Sequence, residues 1–365
     1  MAYLPLSTAN LPDPAIDPAQ GSSPVDYFDV FTWTGTGNTG RSFTDLSFQP
    51  DLVWAKDRTN AYGHVLFDSV RGAGANKELG SQSTGAEGYA STSTYDYLSS
   101  FDSNGFTSTY SGSNFAAYFN NSGDSYVAWN WKANGSATLN DEGSIDSQVS
   151  ANTAAGFSIV TFTGTGSNET VGHGLSSAPD CILFLRRDTS GSDHKVYHSA
   201  LGATKNLRFN NSDAVRTDST FFDDTEPTLN VFTVGGSRFA SSSTHVAYCF
   251  HNVEGFSKFS SYVGNGNADG PFVYTGFRPA FIMSKRTDST GDWHMYDVAR
   301  DEYNVAYKAI WANYSSAEYL SYNNVWDILS NGFKARTSSV ITNASGGTYI
   351  YMAFAENPFK YSNAR

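Results

Sequence analysis

Val127-Ala128-Trp129-Asn130-Trp131, Val246-Ala247-Tyr248-Cys249-Phe250 and Ile350-Tyr351-Met352-Ala353-Phe354 share one pattern: the first, third and fifth residues are large and apolar. A β-strand sends alternate side chains to opposite faces, so each stretch reads as a strand with one buried face. The same face recurs three times. A sequence that repeats such a strand at wide spacing is built from repeated units.

Working back from these strands makes the repeat explicit. Gly35-Thr36-Gly37-Asn38, Gly164-Thr165-Gly166-Ser167 and Gly264-Asn265-Gly266-Asn267 each begin 15 residues before a proline, at Pro50, Pro179 and Pro279. After each proline an apolar run closes in basic residues: Leu52-Val53-Trp54 to Lys56 and Arg58, Cys181-Ile182-Leu183 to Arg186 and Arg187, Phe281-Ile282-Met283 to Lys285 and Arg286. Runs this short read as fully buried strands. A histidine follows each proline by 14 or 15 residues, at His64, His194 and His294. Asn-Gly-Phe at 104–106 and 331–333 marks a turn entering a strand, and Asn230-Val231-Phe232 departs from it in the second repeat.

Short strands separated by Gly, Ser, Asn and Asp turns, with almost no helical periodicity, predict an all-β chain. The expected architecture is three tandem antiparallel β-sandwich, jelly-roll-like modules, each of about 100 residues with its own two-sheet core. The predicted boundaries are an extended Pro-rich arm at 1–24, module 1 at 25–133, a linker free of aromatics at 134–155, module 2 at 156–254 and module 3 at 255–361. The best helical stretch, Ala306 to Trp311, is a weak one. Five of the 11 prolines lie in the arm, which cannot nucleate a helix or central strand and orders by lying on something else.

Composition narrows the function. Charged residues are 16% of the 365, against about 25% in an ordinary globular protein, while 22 Tyr, 26 Phe and 7 Trp make the chain unusually aromatic. A net charge of −12 has the wrong sign for neutralising phosphates, which argues against nucleic-acid binding. The N-terminus resembles no signal peptide and no stretch is apolar enough to span a bilayer, so a soluble protein made in a cytoplasm, without membrane insertion, is expected. Cys181 and Cys249 are too few for a disulfide framework or a four-ligand zinc site and read as buried thiols.

The catalytic motifs considered do not hold together. Gly35 to Ser42 imitates a phosphate-binding loop with Arg41 in the lysine position, but no helix can follow before Pro50, so a hairpin turn is expected. His194 and His198, four apart on a strand, lie roughly 13 Å apart and cannot share a metal; a structural histidine at a strand start is the preferred reading. Asp141-Glu142 and Asp223-Asp224 with Glu226 read as solvated acidic loops, with calcium or a glycosidase carboxylate pair as the sharper alternatives. Trp54, Trp129 and Trp131 belong to cores. Tyr89, Tyr95, Tyr97, Tyr314, Tyr319 and Tyr322 are the loop tyrosines that suit stacking on sugar rings. No catalytic residue, metal ligand or cofactor is assigned.

Gly156 to Gly166, Val171-Gly172-His173-Gly174-Leu175, Gly270 to Pro279 and Tyr349 to Lys360 resemble a repeated domain of uncharacterised function found in virion and tail-associated proteins of tailed bacteriophages, especially marine and cyanobacterial ones. The resemblance covers roughly residues 25–361 and brings no catalytic residues with it. It implies a non-enzymatic virion protein, a tail fibre or appendage that contacts the host. Capsid decoration or another architectural role is the alternative, and a glycan-degrading tailspike a minor one. On this reading Leu4, Pro5, Leu6, Leu11, Pro12, Pro14, Ile16 and Pro18 of the arm dock onto other virion proteins of tail or head. Tyr314, Tyr319 and Tyr322 touch a host surface glycan or protein. Fibres of tailed phages are usually homotrimers. The aromatic excess adds an expectation of self-association, with the third module farthest from the arm and pointing outward.

Overall fold

In the computed structural model, which describes residues 11–89, 95–110, 117–320, 323 and 325–362, the three alternating apolar stretches all lie in strands. The first unit holds β1 (Phe28–Thr34), β2 (Gly40–Phe43), β3 (Leu52–Asp57), β4 (Val65–Asp68), β5 (Tyr97–Asp102), β6 (Gly105–Thr109) and β7 (Ser125–Trp131). The second holds β8 (Thr138–Asn140), β9 (Ser147–Asn152), β10 (Phe157–Thr163), β11 (Glu169–Gly172), β12 (Cys181–Arg186), β13 (Lys195–His198), β14 (Lys205–Arg208), β15 (Arg216–Thr217), β16 (Val231–Val234) and β17 (Thr244–Phe250). The third holds β18 (Ser257–Val263), β19 (Phe272–Tyr274), β20 (Phe277–Arg286), β21 (Trp293–Asp297), β22 (Lys308–Trp311), β23 (Tyr319–Leu320), β24 (Trp326–Leu329), β25 (Gly332–Ala335) and β26 (Thr348–Pro358), with a one-turn helix, α1 (Val340–Asn343), before its last strand.

Each unit is a large sheet facing a small one, all antiparallel. The large sheets run β1-β7-β3-β4, β15-β14-β13-β12-β17-β10-β9-β8 and β18-β26-β20-β21-β22-β23; the small ones are β2-β6-β5, β11-β16 and β19-β25-β24. The Asn-Gly-Phe turns connect β5 to β6 and β24 to β25. Where the second unit lacks that turn it lacks the hairpin as well, and its small sheet has two strands. Residues 308–311 of the weak helical stretch form β22.

The paired glycines are corners rather than hairpins, because β1, β10 and β18 lie in large sheets and the strands that follow lie in small ones. Gly35, Gly164 and Gly264 each donate their amide, at 2.8 Å, to a carbonyl of the loop entering the unit's last strand. A Cβ there would stand 1.9 Å from the Asn121 oxygen, 2.6 Å from that of Phe239 and 2.3 Å from that of Ala344. Gly37, Gly166 and Gly266 then take φ of 76°, 87° and 67°. The repeated motif therefore records a close approach followed by a left-handed residue, which only glycine meets without cost.

The segment 134–155, expected as a linker, carries β8 and β9, which extend the second large sheet beyond β10. It needs no aromatic because Val149 in that unit's core and Ile145 packed against it are the large apolar side chains it contributes there.

The recurring apolar face points away from its own sandwich. Tyr126 and Ala128, Ala247 and Cys249, and Tyr349, Tyr351 and Ala353 line the three sandwich cores. Val127, Trp129 and Trp131, Val246, Tyr248 and Phe250, and Ile350, Met352 and Phe354 meet instead in a fourth core shared by all three units. Trp131, Phe250 and Phe354 form a triangle with ring centroids 6.3, 5.8 and 5.6 Å apart. The three large sheets are thus packed around a pseudo-threefold axis. Among the described residues thirteen aromatic side chains line this shared core, a use for aromatics that three separate sandwiches would not have.

The arm is not extended over its described part. Residues 18–20 and 24–26 form short 3-10 turns, the Ala15 amide donates to the Glu254 oxygen at 3.3 Å, and Ile16 is 1% exposed in the shared core.

Because one core joins all units, Phe354→Ala should cost about 3–5 kcal/mol and leave a single unfolding transition; a separate early transition of the third unit in a calorimetric scan would contradict the shared core. Ile16→Ala should cost about 2–4 kcal/mol in a denaturant melt even though it lies outside the sandwiches, whereas an unchanged midpoint would return the arm to the surface.

Candidate functional site

Strand register shows which residues are equivalent. Leu52, Cys181 and Phe281 stand opposite Asp68, His198 and Asp297, while Trp54, Leu183 and Met283 stand opposite Leu66, Val196 and Met295. Counting back, His64 and His194 are matched by Trp293, and His294 is one residue out of register. The connection between these strands is one residue longer in the second unit, so the 15-residue spacing shared by the second and third units hides a change of face.

All three matched residues hold the units together. Trp54 Nε1 donates to His64 Nδ1 at 2.9 Å, which leaves the ring's proton on Nε2 to bond the Trp311 oxygen of the third unit at 3.0 Å. His194 Nε2 bonds the Gly80 oxygen of the first unit at 3.1 Å. Trp293 Nε1 donates to the Arg208 oxygen of the second unit at 2.9 Å. The bonds run one way round the ring. Burial holds His64 well below its ordinary value and lowers His194 and His198 to about 4 and His294 to about 3.

Among the described residues two of the three seams add an Arg–Glu pair, while at the other the Lys285 ammonium donates to the Asp213 backbone oxygen at 2.8 Å. The basic residues closing each apolar run, Arg58 and Arg187, reach Glu318 and Glu87 on the neighbouring unit. Glu318 accepts from Arg58 at 3.0 and 2.9 Å and from Arg300 at 3.0 Å. Arg300 also holds the buried Asp297, which accepts from Trp129 Nε1 at 3.0 Å across the seam. In the second such seam Arg71 holds Asp68, which accepts from Tyr248 Oη at 2.8 Å. At the third seam Thr287 and Val215 occupy the Arg and Glu positions, joined by a backbone bond of 2.9 Å. Sequence reading found the basic residues of these seams but not Glu87 or Glu318, which no spacing marks.

The structure gives the molecule two ends. At one, the base, β1, β10 and β18 begin and β7, β17 and β26 finish. Both inter-unit connections and the arm lie there. Tyr361 Oη donates to Asp17 at 2.7 Å and Lys360 pairs with Asp13. Leu11, Pro12 and Pro14 line a groove of about 410 Å3 with Val253, Gly255, Tyr274 and Phe359. The third module is therefore not farthest from the arm, since β26 and the turn after it carry the arm directly. Ile16, inside the core, is unavailable for docking, and Pro18 is half-buried. Leu4, Pro5 and Leu6 lie outside the described residues. At the other end, the tip, are the three glycine corners.

Tyr314 and Tyr319 are 45% and 50% exposed and flank Trp311, with ring centroids 6.1 and 5.2 Å from its own. Tyr322 lies outside the described residues. Three other tyrosines expected in exposed loops are elsewhere: Tyr97 is in β5, Tyr95 packs on Tyr118, and Tyr89 is half-buried with its hydroxyl bonded to Gln82. The acidic loops do not converge. Glu226 binds Tyr197 and the Ala203 amide, Glu142 reaches Asn230, and Asp223 and Asp224 are exposed. Among the described residues no group of three His, Cys, Asp or Glu side chains is placed to hold a metal, and both cysteines are buried. Arg41 of the phosphate-loop imitation bonds Thr34 and Asn120.

Acid should loosen the seams. A histidine at about 4 when folded and near 6.5 when unfolded stabilises fully above the unfolded value, and that stability is lost as pH falls towards 4. For His194 the loss between pH 7 and pH 5 is about 2 kcal/mol. Asp29 and Asp96, raised by burial to about 6 and about 7, work in the opposite direction. Urea melts at pH 7 and pH 5 should therefore show a smaller acid loss for His194→Gln than for the parent chain; equal losses would remove the histidine from the account.

No curated protein matches this chain, and neither does any solved structure. One family model does, described as a domain of unknown function (DUF7483), over residues 23–358. The match starts just before the 3-10 turn that leads into β1 and ends on the last residue of β26, so it takes in all three units and the core between them. The chain belongs to the DUF7483 family.

Proposed function

We propose that this protein is a non-enzymatic structural component of a tailed-phage particle, an appendage held at its base and presenting its tip to the host surface. The resemblance of its repeat to domains of virion proteins motivates the reading, and the polarity of the molecule is the observation that carries it. Arm, C-terminal turn and both inter-unit connections gather at the base, whereas the glycine corners of all three units stand at the opposite end. The groups best suited to chemistry are used for architecture: His64, His194 and the Asp297–Arg300 pair bind one unit to the next or support a residue that does.

Docking through the arm is narrowed to the residues ahead of Ile16, since that side chain belongs to the fold. Deleting residues 1–10 should abolish incorporation into particles while the purified chain keeps its melting temperature. Antibodies raised against the whole chain should label the tail of particles whose genome encodes it. Label on the head would favour capsid decoration, and particles carrying none would remove the virion reading altogether.

A further inference from the structure

The three units allow a comparison that a single domain does not. Register equates Trp311 with Gly80 and Arg208, because the carbonyl of each receives the seam bond from His64, His194 or Trp293. The cross-strand pairs Ala309–Tyr319 and Asn206–Arg216 equate Tyr319 with Arg216. Gly88 is their counterpart in the first unit, directly after the Glu87 that matches Glu318. One position of the fold is thus furnished in three ways. In the first unit glycine stands at both places: a Cβ on Gly80 would lie 2.5 Å from the Tyr89 hydroxyl, and one on Gly88 would lie 2.8 Å from the Asn76 Cβ. In the second, Arg208 is paired with Asp193 and Asp213. In the third, aromatic rings stand there half open to solvent.

We propose that Trp311, Tyr314 and Tyr319 form a stacking platform for the pyranose rings of a neutral saccharide. This rests on the attachment reading above and deepens it by naming the ligand class. The fold does not require the rings, since its other two units close the same position with different residues. Their setting is rigid: Trp311 Nε1 donates to His294 Nδ1 at 2.9 Å, which fixes the indole plane, and Tyr319 packs on it at an interplanar angle of 30°. The charges beside the platform are already matched, Glu318 and Asp297 by Arg58 and Arg300, so nothing there calls for a charged ligand. An aromatic side chain offers about 150–250 Å2 in all, and three half-open ones expose a few hundred, well short of the roughly 800 Å2 per partner of a stable protein interface. That area suits one or two sugar rings. The platform also lies towards the tip, because the Glu318 amide bonds the oxygen of Arg58, just past the tip end of β3.

The test uses the purified full-length chain with cellohexaose, maltohexaose and chitohexaose, followed by calorimetry and intrinsic tryptophan fluorescence. At least one should bind with a millimolar or tighter constant. Tyr319→Ser and Tyr314→Ser should each weaken it about tenfold, equivalent to ~1.4 kcal/mol, with no change in melting temperature. Phe272→Ser, at another exposed aromatic, should bind as the parent does. The proposal is overturned if none of the three sugars binds, or if the tyrosine variants bind as well as the parent. Concentration-dependent self-association lost in Tyr319→Ser would likewise overturn it by making a second copy the occupant. Failure of sugar binding with the tail still labelled by antibody removes the platform alone. Sugar binding by a chain absent from particles removes the virion reading alone.

Discussion

Everything in this molecule is arranged around the contact of Trp131, Phe250 and Phe354, three rings at equivalent positions of three strands that meet about one axis. A β-sheet with apolar residues on both faces must bury both. Each large sheet covers one face with its own small sheet, and the other is left with Trp, Tyr, Phe and Met side chains that no sandwich partner reaches. Three such faces satisfy one another. The consequence is cooperativity: no unit can leave without exposing the aromatic faces of the other two.

The same contact explains what was readable in advance and what was not. Period-two patterning located β7, β17 and β26 and declared them buried, because alternation is a local property of a strand. It could not say against what, since a face buried on a neighbouring unit and one buried in a sandwich have the same composition. The glycine corners were legible as a motif but not as geometry, for a Gly-x-Gly string does not distinguish a hairpin from a crossing between sheets. β9 was missed because Ser147, Gln148 and Ser150 resemble a linker, and only pairing with β10 makes them a strand. Of the candidate contact residues, Tyr314 and Tyr319 proved exposed. Their partner Trp311 was invisible as a site residue, because its membership of the platform depends on β22 and β23 pairing across a loop.

The seams show how a repeat diverges without losing its frame. The hydrogen bond to the next unit, made from the residue just before β4 or β13 and from the first residue of β21, survives whether histidine or tryptophan donates it, since each presents a ring N–H at a similar reach. Arg–Glu pairs appear at two seams and only the backbone bond between Val215 and Thr287 stands at the matching place in the third, so the units are no longer interchangeable although their backbones correspond. Asp68 and Asp297 carry their arginines, Arg71 and Arg300, within their own units, but exchanging units between positions would take from each buried carboxylate the Tyr248 or Trp129 donor it meets across the seam.

β7, β17 and β26 run from tip to base, and each is hydrogen-bonded on both sides within its sheet. A force applied at the tip of a body anchored at its base is therefore directed along these strands and loads their flanking ladders in shear, with the bonds of a ladder sharing the load at once. A sheet pulled across its strands yields bond by bond, like a zip. The molecule is mechanically anisotropic, stiffest along the axis on which its three aromatic rings meet.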